Sequence, residues 1–270
     1  MSVDVGTEQR WAVGAPGHPG APEVRVAFGG RHPGLPGQGN VSLVVGDGDP
    51  LAARSALLAE VGARLDDAVL MEQVHGSAVA VVGRDDRGRG AREHAEAVGG
   101  VDGLVTFDDD VALVVMTADC VPLLVADPRG GIGVAHAGRA GVLAGVVPAL
   151  LSALAPRDPA ALVALLGPAI DGCCYELGAE AAEALAAAHP AAAARTTWGS
   201  PSADLRRAVA AQLAAAGVVR VETVGGCTRC AHPTRFSHRA EPGAGRQGSV
   251  IVRRPAPTGA VWRGVVEGGR

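Results

Sequence analysis

The stretch Val111-Ala-Leu-Val-Val-Met-Thr-Ala-Asp-Cys-Val-Pro-Leu-Leu-Val-Ala-Asp127 decides the fold. Two apolar runs, Val111 to Met116 and Val121 to Ala126, are rich in β-branched residues and have strand length. Only Thr117-Ala118-Asp119-Cys120 separates them. A third strand-like run, Ile132 to Ala135, follows directly and ends at His136. Many strand-like runs thus succeed one another without a helix between them, as in hairpins. They argue for an α+β (mixed α/β) domain rather than a doubly wound parallel sheet.

Working outward, Val24 to Phe28, Val41 to Val45, Ala68 to Val74 and Ala78 to Val82 read as earlier strands. Leu162 to Leu166, Val218 to Val224 and Ser249 to Val252 read as later ones. Leu51 to Leu65 has apolar residues at helical spacing, with Asp49-Pro50 as its start signal. Val142 to Ala155 predicts a helix bent at Pro148. Ala179 to Ala188 and Asp204 to Ala216 predict two more, and Arg84 to Gly100 a charged surface loop with a short helix. Residues 1–22 are rich in Gly, Pro and Ala and read as a loose lead-in. Residues 23–254 read as one domain and 255–270 as a tail.

Composition narrows the function. A net charge of −4 gives no support for a nucleic-acid or membrane surface as the main partner. The longest uncharged stretch, Ala140 to Pro156, is shorter than the roughly 20 residues a bilayer span needs. No Lys occurs anywhere, which excludes Walker-type, Schiff-base and pyridoxal-linked mechanisms. Any anion clamp must use Arg or backbone N–H groups. No secretory signal is evident at the N-terminus, so a cytoplasmic location is expected, with all five Cys reduced.

His75, Cys120 and His136 each close a strand-like run, where a scaffold presents reactive side chains. One thiolate and two imidazoles suit Zn²⁺ or, alternatively, Cu²⁺. Three protein ligands leave a fourth position open, which is the catalytic pattern. A Cys–His nucleophilic pair, with Cys120 attacking and His136 or His75 as base, is the other chemical reading of the same residues. Asp119, next to Cys120, reads either as an acid/base or as a turn residue bonding its own backbone. His136-Ala-Gly-Arg-Ala-Gly141 reads either as an anion site at a helix start, reinforced by Arg139, or as a tight turn needing Gly for close packing. Cys173-Cys174 and Cys227-x-x-Cys230 do not predict a structural zinc, because only one C-x-x-C is present and adjacent cysteines chelate poorly.

The wording around these residues carries a resemblance. QVHG (73–76), VDGLVT (101–106), TADCVPLLVAD (117–127), GVAHAG (133–138) and GPAIDGCCYELG (167–178) resemble the bacterial laccase-domain family. That family is also described as multicopper polyphenol oxidase-like, peptidoglycan editing factor and purine nucleoside phosphorylase. Weaker matches include Phe28 with Arg31, Asn40 with Asp47, Arg54, Asp204-Leu205, Cys227-Thr228, Phe236 to Arg239, and Gly245-Arg246. Where the family often has HAGW followed by a basic residue, this chain has Arg139 and then Ala140.

The resemblance implies a single domain of central mixed sheets flanked by helices, the laccase-domain or cytotoxic-necrotizing-factor-like fold. It implies a metal held by His75, Cys120 and His136, with Asp119, Cys120 and His136 as catalytic residues. Arg31, Asn40, Arg139, Cys174 and Arg246 are the expected substrate contacts, and Arg54 and Arg239 further clamp candidates. The implied activity is phosphorolysis of adenosine, inosine or methylthioadenosine to free base and ribose 1-phosphate, with adenosine deamination beside it. The partners are small molecules, and the expected state is a monomer or small homo-oligomer. A Cys–His hydrolase or amidase editing cell-wall precursors is the alternative. A phenol oxidase fits least, because eight scattered His give no H-x-H cluster.

Overall fold

The computed structural model describes residues 11–13, 22–32, 34 and 36–255. The chain runs β1 (Trp11–Val13), β2 (Glu23–Phe28), α1 (Pro50–Glu60), β3 (Ala68–Leu70), β4 (Val79–Val81) and β5 (Gly103–Thr106). Next come β6 (Ala112–Thr117), β7 (Val121–Ala126), β8 (Ile132–Ala137), α2 (Arg139–Ala144), α3 (Val146–Leu154) and β9 (Val163–Leu166). It closes with α4 (Ala179–Ala188), β10 (Ala193–Arg195), β11 (Pro201–Ala203), α5 (Leu205–Ala215), β12 (Arg220–Thr223) and β13 (Gln247–Arg254).

Two mixed sheets carry the fold, in the orders β1-β2-β13-β6-β3 and β12-β9-β7-β8-β5-β4. Their inner faces share one apolar core. Phe28, Leu113, Val115 and Ile251 come from the first sheet, and Leu104, Leu124, Val134 and Leu165 from the second. The outer face of the first sheet is covered by Leu57 and Leu58 of α1. The outer face of the second is covered by α3 and α5 through Val147, Leu150, Val209 and Leu213. Every strand residue of β7 and β8 is therefore buried. A strand covered on both faces has no polar side to alternate with, which is why its sequence is a continuous apolar run.

Several local expectations change. Val41 to Val45 is not a strand. The Ser42 hydroxyl accepts the N–H groups of Val44 and Val45, each at 3.2 Å, and Val44 is exposed. Short polar side chains here offer the backbone partners that a ladder would otherwise supply. The first helix stops at Glu60 instead of reaching Leu65, because the chain reverses at Gly62, which has φ +71°. Arg84 to Gly100 holds only single 3₁₀ turns. β13 is longer than its sequence signal and is paired on both sides, with β2 and β6. Of the stretch read as a loose lead-in, residues 11–13 pair with β2; its remainder up to residue 21, and the tail from 256, lie outside the described residues.

Arg54 does not approach a ligand site. It is buried, and donates to the carbonyls of Val41, Gly90 and Ala91, each at 2.7 Å. Burial brings its guanidinium down to about 10.

The expected single bent helix is two helices, and the break is at Gly145 rather than Pro148. Gly145 is left-handed (φ 87°, ψ 37°) and caps both α2 and α3. Pro148 sits in the first turn of α3, where its missing N–H costs nothing. Gly145→Ala should therefore destabilise by about 1–2 kcal/mol in urea unfolding, while Pro148→Ala stays within about 0.5 kcal/mol of the parent. The reverse order would move the break back to the proline.

Candidate metal centre

His75 lies on the turn after β3. The N–H groups of Val74, His75 and Gly76 all point at the Asp102 carboxylate, at 3.1, 2.9 and 2.6 Å. Wrapping three successive amides around one carboxylate puts His75 at φ 61°. Asp102 immediately precedes β5 and is fully buried. β5 pairs with β8, and the His136 N–H donates to the Asp102 carbonyl at 2.8 Å. Nδ1 of the His136 ring lies 2.7 Å from Oδ1 of the same Asp102. A carboxylate can only accept, so Nδ1 carries the proton and Nε2 is left as the ligand atom. One residue thus orients both histidines, and sequence reasoning did not single it out.

Cys120 comes from the turn between β6 and β7. The register pairs Val121 with Ala137, which sets Cys120 opposite Gly138. Its Sγ is 3.9 Å from Nε2 of His75, and the two imidazole rings meet edge to face with centroids 4.6 Å apart. The three ligand atoms lie within 4.8 Å of one another. His136 is buried, Cys120 half-buried and His75 exposed, so the group opens toward solvent on one side. A Cβ on Gly138 would come within 2.9 Å of His75 Cδ2 and 3.0 Å of Cys120 Sγ. A Cβ on Gly141 would meet the Gly76 carbonyl at 2.7 Å. The glycines of 136–141 therefore serve close packing, and α2 behind them is too short to form an anion site of its own.

The electrostatics suit a cation. Burial alone pushes the Cys120 thiol up, but hydrogen bonds and charge from His136 and His75 outweigh it and bring it down to about 6. Burial pulls His136 down, and its bonds to Asp102 and Cys120 more than reverse this, raising it to about 9. For Asp102, burial works upward, while bonds from His136, Gly76 and Val74 hold it below the usual carboxylate range. Without an ion the site is a thiolate beside an imidazolium. Once the proton on His136 Nε2 has left, one soft anionic sulfur and two ring nitrogens face a divalent ion.

A sequence profile described as multi-copper polyphenol oxidoreductase laccase matches residues 26–254. The chain belongs to this laccase-like family. It is 43% identical over 217 residues to a purine nucleoside phosphorylase of Streptomyces coelicolor, covering 78% of this chain and 86% of that one. It is 35% identical over 198 residues to an adenosine deaminase from an unknown prokaryotic organism, covering 70% and 76%. The solved structure of YlmD from Geobacillus stearothermophilus superimposes with a TM-score of 0.78 at 34% identity, covering 93% of this chain and all of that one. The α+β fold with mixed sheets is shared with it.

Around the laccase-like triad the structure gathers some expected residues and not others. Arg246 is partly buried, which pulls its guanidinium down, while the charges of Cys120 and Asp119 push back. It faces the site. Tyr175, which the sequence reading passed over, stands among Cys120, Arg139 and Arg239, and burial pushes its phenol up. The Arg239 guanidinium lies 5.0 Å from the Tyr175 ring centroid, and Arg139 is exposed. The Asp119 carboxylate accepts the Thr228 hydroxyl and the Arg239 N–H, both at 2.6 Å, and its backbone has φ 87°. It pins the β12–β13 loop to the site wall at two points rather than standing free. Asn40 is spent entirely on backbone, accepting from Ser42 and Arg246 at 2.9 Å and donating to Val45 at 2.8 Å. Arg31 is paired with Glu241 at 2.8 Å and lies over Phe236.

Cys174 packs with Ile170 and Cys227 in a small buried cluster. It belongs to a second group with Cys173, Cys227 and Cys230, whose sulfurs lie within 4.8 Å of one another. The sequence reading expected no such cluster. The loops meet because Ala169 forms a parallel bridge with Cys227, a pairing that no local spacing encodes.

Binding an ion at the triad must displace the His136 proton below about 9 and also the Cys120 proton below about 6. Apparent metal affinity should therefore rise with pH and level off above about 9, with about one proton released per ion near pH 7.5. Calorimetry in buffers of different ionisation enthalpy reads this number, and no proton release would contradict the assignment. Asp102→Asn should weaken binding roughly 10- to 100-fold in a competition titration, because His136 loses its orienting partner. Unchanged affinity would remove Asp102 from that role.

Proposed function

We propose that this enzyme is a metal-dependent purine nucleoside phosphorylase. It cleaves adenosine, inosine or methylthioadenosine with phosphate to free base and ribose 1-phosphate, and also deaminates adenosine. One observation carries the reading. An open three-donor centre lies within electrostatic reach of Arg246 and Tyr175, in a chain 43% identical to a protein named for this phosphorolysis. The deaminase-named relative supports the second activity.

His75, Cys120 and His136 are the proposed ligands, and Zn²⁺ the proposed ion, with Cu²⁺ the alternative. Bound there, it would supply Lewis acidity beside the substrate. The residues of the chain do the rest. Arg246 offers a partly desolvated guanidinium for phosphate, in a molecule that has no Lys to serve instead. Arg139, at the exposed rim, adds charge and takes the place of the family Trp. The Tyr175 ring supplies an apolar face for purine or ribose. Asp119 acts by fixing Thr228 and Arg239, and Asn40 by fixing the backbone of Arg246. Cys174 supports the wall from behind, and Arg31 joins the substrate only by exchanging Glu241 for phosphate. A cytoplasmic monomer or small homo-oligomer acting on small molecules fits five free cysteines and the modest charge. Among the described residues no helix is long and apolar enough to cross a membrane.

A second reading has its own observation. Asp102, His136 and Cys120 are linked in the manner of an acid, a base and a nucleophile, with the thiol brought down to about 6. That is a Cys–His hydrolase. Full activity after chelation would favour it. A multicopper phenol oxidase needs clustered imidazoles, and the described residues bring only two to one point.

Incubation with nucleoside and phosphate should yield ribose 1-phosphate at a rate that rises with phosphate. Free ribose at a phosphate-independent rate would make the enzyme a hydrolase. Arg246→Ala should raise KM for phosphate by about 1.5–3 kcal/mol, roughly 10- to 150-fold. Arg139→Ala should cost less than about 1 kcal/mol, because exposed charges are screened. Equal KM values in the parent and Arg246→Ala would take Arg246 out of the phosphate site.

A further inference from the structure

We propose a second metal site, a four-thiolate zinc centre made by Cys173, Cys174, Cys227 and Cys230, that staples the β9–α4 loop to the β12–β13 loop. It is independent of the His75–Cys120–His136 group and does not rest on the phosphorylase reading.

The geometry is that of a cage. Cys173 and Cys174 are 3.6 Å apart between sulfurs, Cys173 and Cys230 3.7 Å, and Cys174 and Cys230 3.4 Å. Zinc with sulfurs at about 2.3 Å in a tetrahedron requires edges of about 3.8 Å. A disulfide requires about 2.0 Å, and all five cysteines of the chain are free. Neighbouring cysteines ordinarily diverge. Here the N–H groups of Cys174 and Tyr175 both return to the Asp171 carbonyl at 2.9 Å, and this tight turn brings the adjacent sulfurs to one side. The opposite loop is placed by the Ala169–Cys227 bridge, with the Thr228 N–H donating to Ala169 at 3.0 Å. The Asp171 N–H donates to Cys227 Sγ at 3.4 Å, the kind of contact that orients a thiolate ligand. Asp171 is itself fixed by Arg206. The donor set is all sulfur, which selects zinc over magnesium, calcium or manganese.

The placement gives the ion a purpose. Tyr175 follows Cys174 directly, and Thr228, which bonds Asp119, follows Cys227. Closing the cage fixes the wall that carries both. Its role is structural, since all four positions of the tetrahedron are taken by protein.

The test uses full-length protein purified with a thiol reductant. The parent should hold about two zinc ions per chain and Cys120→Ala about one. Replacing that remaining ion by Co²⁺ should give the intense sulfur-to-cobalt charge-transfer absorption of a tetrahedral thiolate site. The double variant Cys120→Ala/Cys230→Ser should lose this absorption, while Cys230→Ser alone, at an exposed position, should keep the triad's zinc and melt at lower temperature. The proposal is overturned if Cys120→Ala carries no zinc while all four thiols react freely with a thiol reagent. Intact masses showing these cysteines as disulfides in the reduced preparation would overturn it as well.

Discussion

The Asp102 carboxylate is the constraint on which the site depends. It is fully buried and accepts from three successive backbone amides and one imidazole. A buried carboxylate without partners would cost several kcal/mol, so this arrangement is held at every point. Through the amides it sets the turn that carries His75. Through its side chain and its carbonyl it sets both the ring and the backbone of His136. Cys120 is then brought in by the β7–β8 register, and only Gly at 138 leaves it room. Two sheets buried on both faces make the frame rigid enough for ligands from the β3–β4 loop, the β6–β7 turn and β8 to converge.

The cost of this convergence is visible in the backbone. His75 and Asp119 both adopt left-handed conformations that side chains disfavour. Each is held by hydrogen bonds to the same few groups that shape the site, as expected where strain is kept for function. Asp119 links the triad to Thr228 and Arg239, and these lead on to Tyr175 and to the four-cysteine cluster. The reactive centre and the wall beside it are therefore one connected piece.

Much of this was legible in the sequence. The runs at 111–116, 121–126 and 132–135 are apolar without alternation because both of their faces are covered, so they stood out. His75, Cys120 and His136 stand out because each follows an apolar run that reads as a strand, although the strand before His75 stops at Leu70. Asp102 was not, since its partners are backbone amides 26 to 28 residues earlier, which leave no side-chain pattern. Arg31 and Arg54 read as clamps because a sequence shows a charge but not its partner. One is paired with Glu241 and the other is spent on three carbonyls. The meeting of the four cysteines has no local signature, because two loops pinned together by a bridge leave no spacing to read.

On the proposed function, turnover runs through an ion held by His75, Cys120 and His136. The most direct measurement strips the protein of metal, titrates zinc back, and follows phosphate-dependent nucleoside cleavage in the parent and in Cys120→Ala side by side. The parent should fall silent and recover with zinc, and Cys120→Ala should stay silent while unfolding as cooperatively as the parent. Full turnover by the stripped parent, or by Cys120→Ala, would contradict the account.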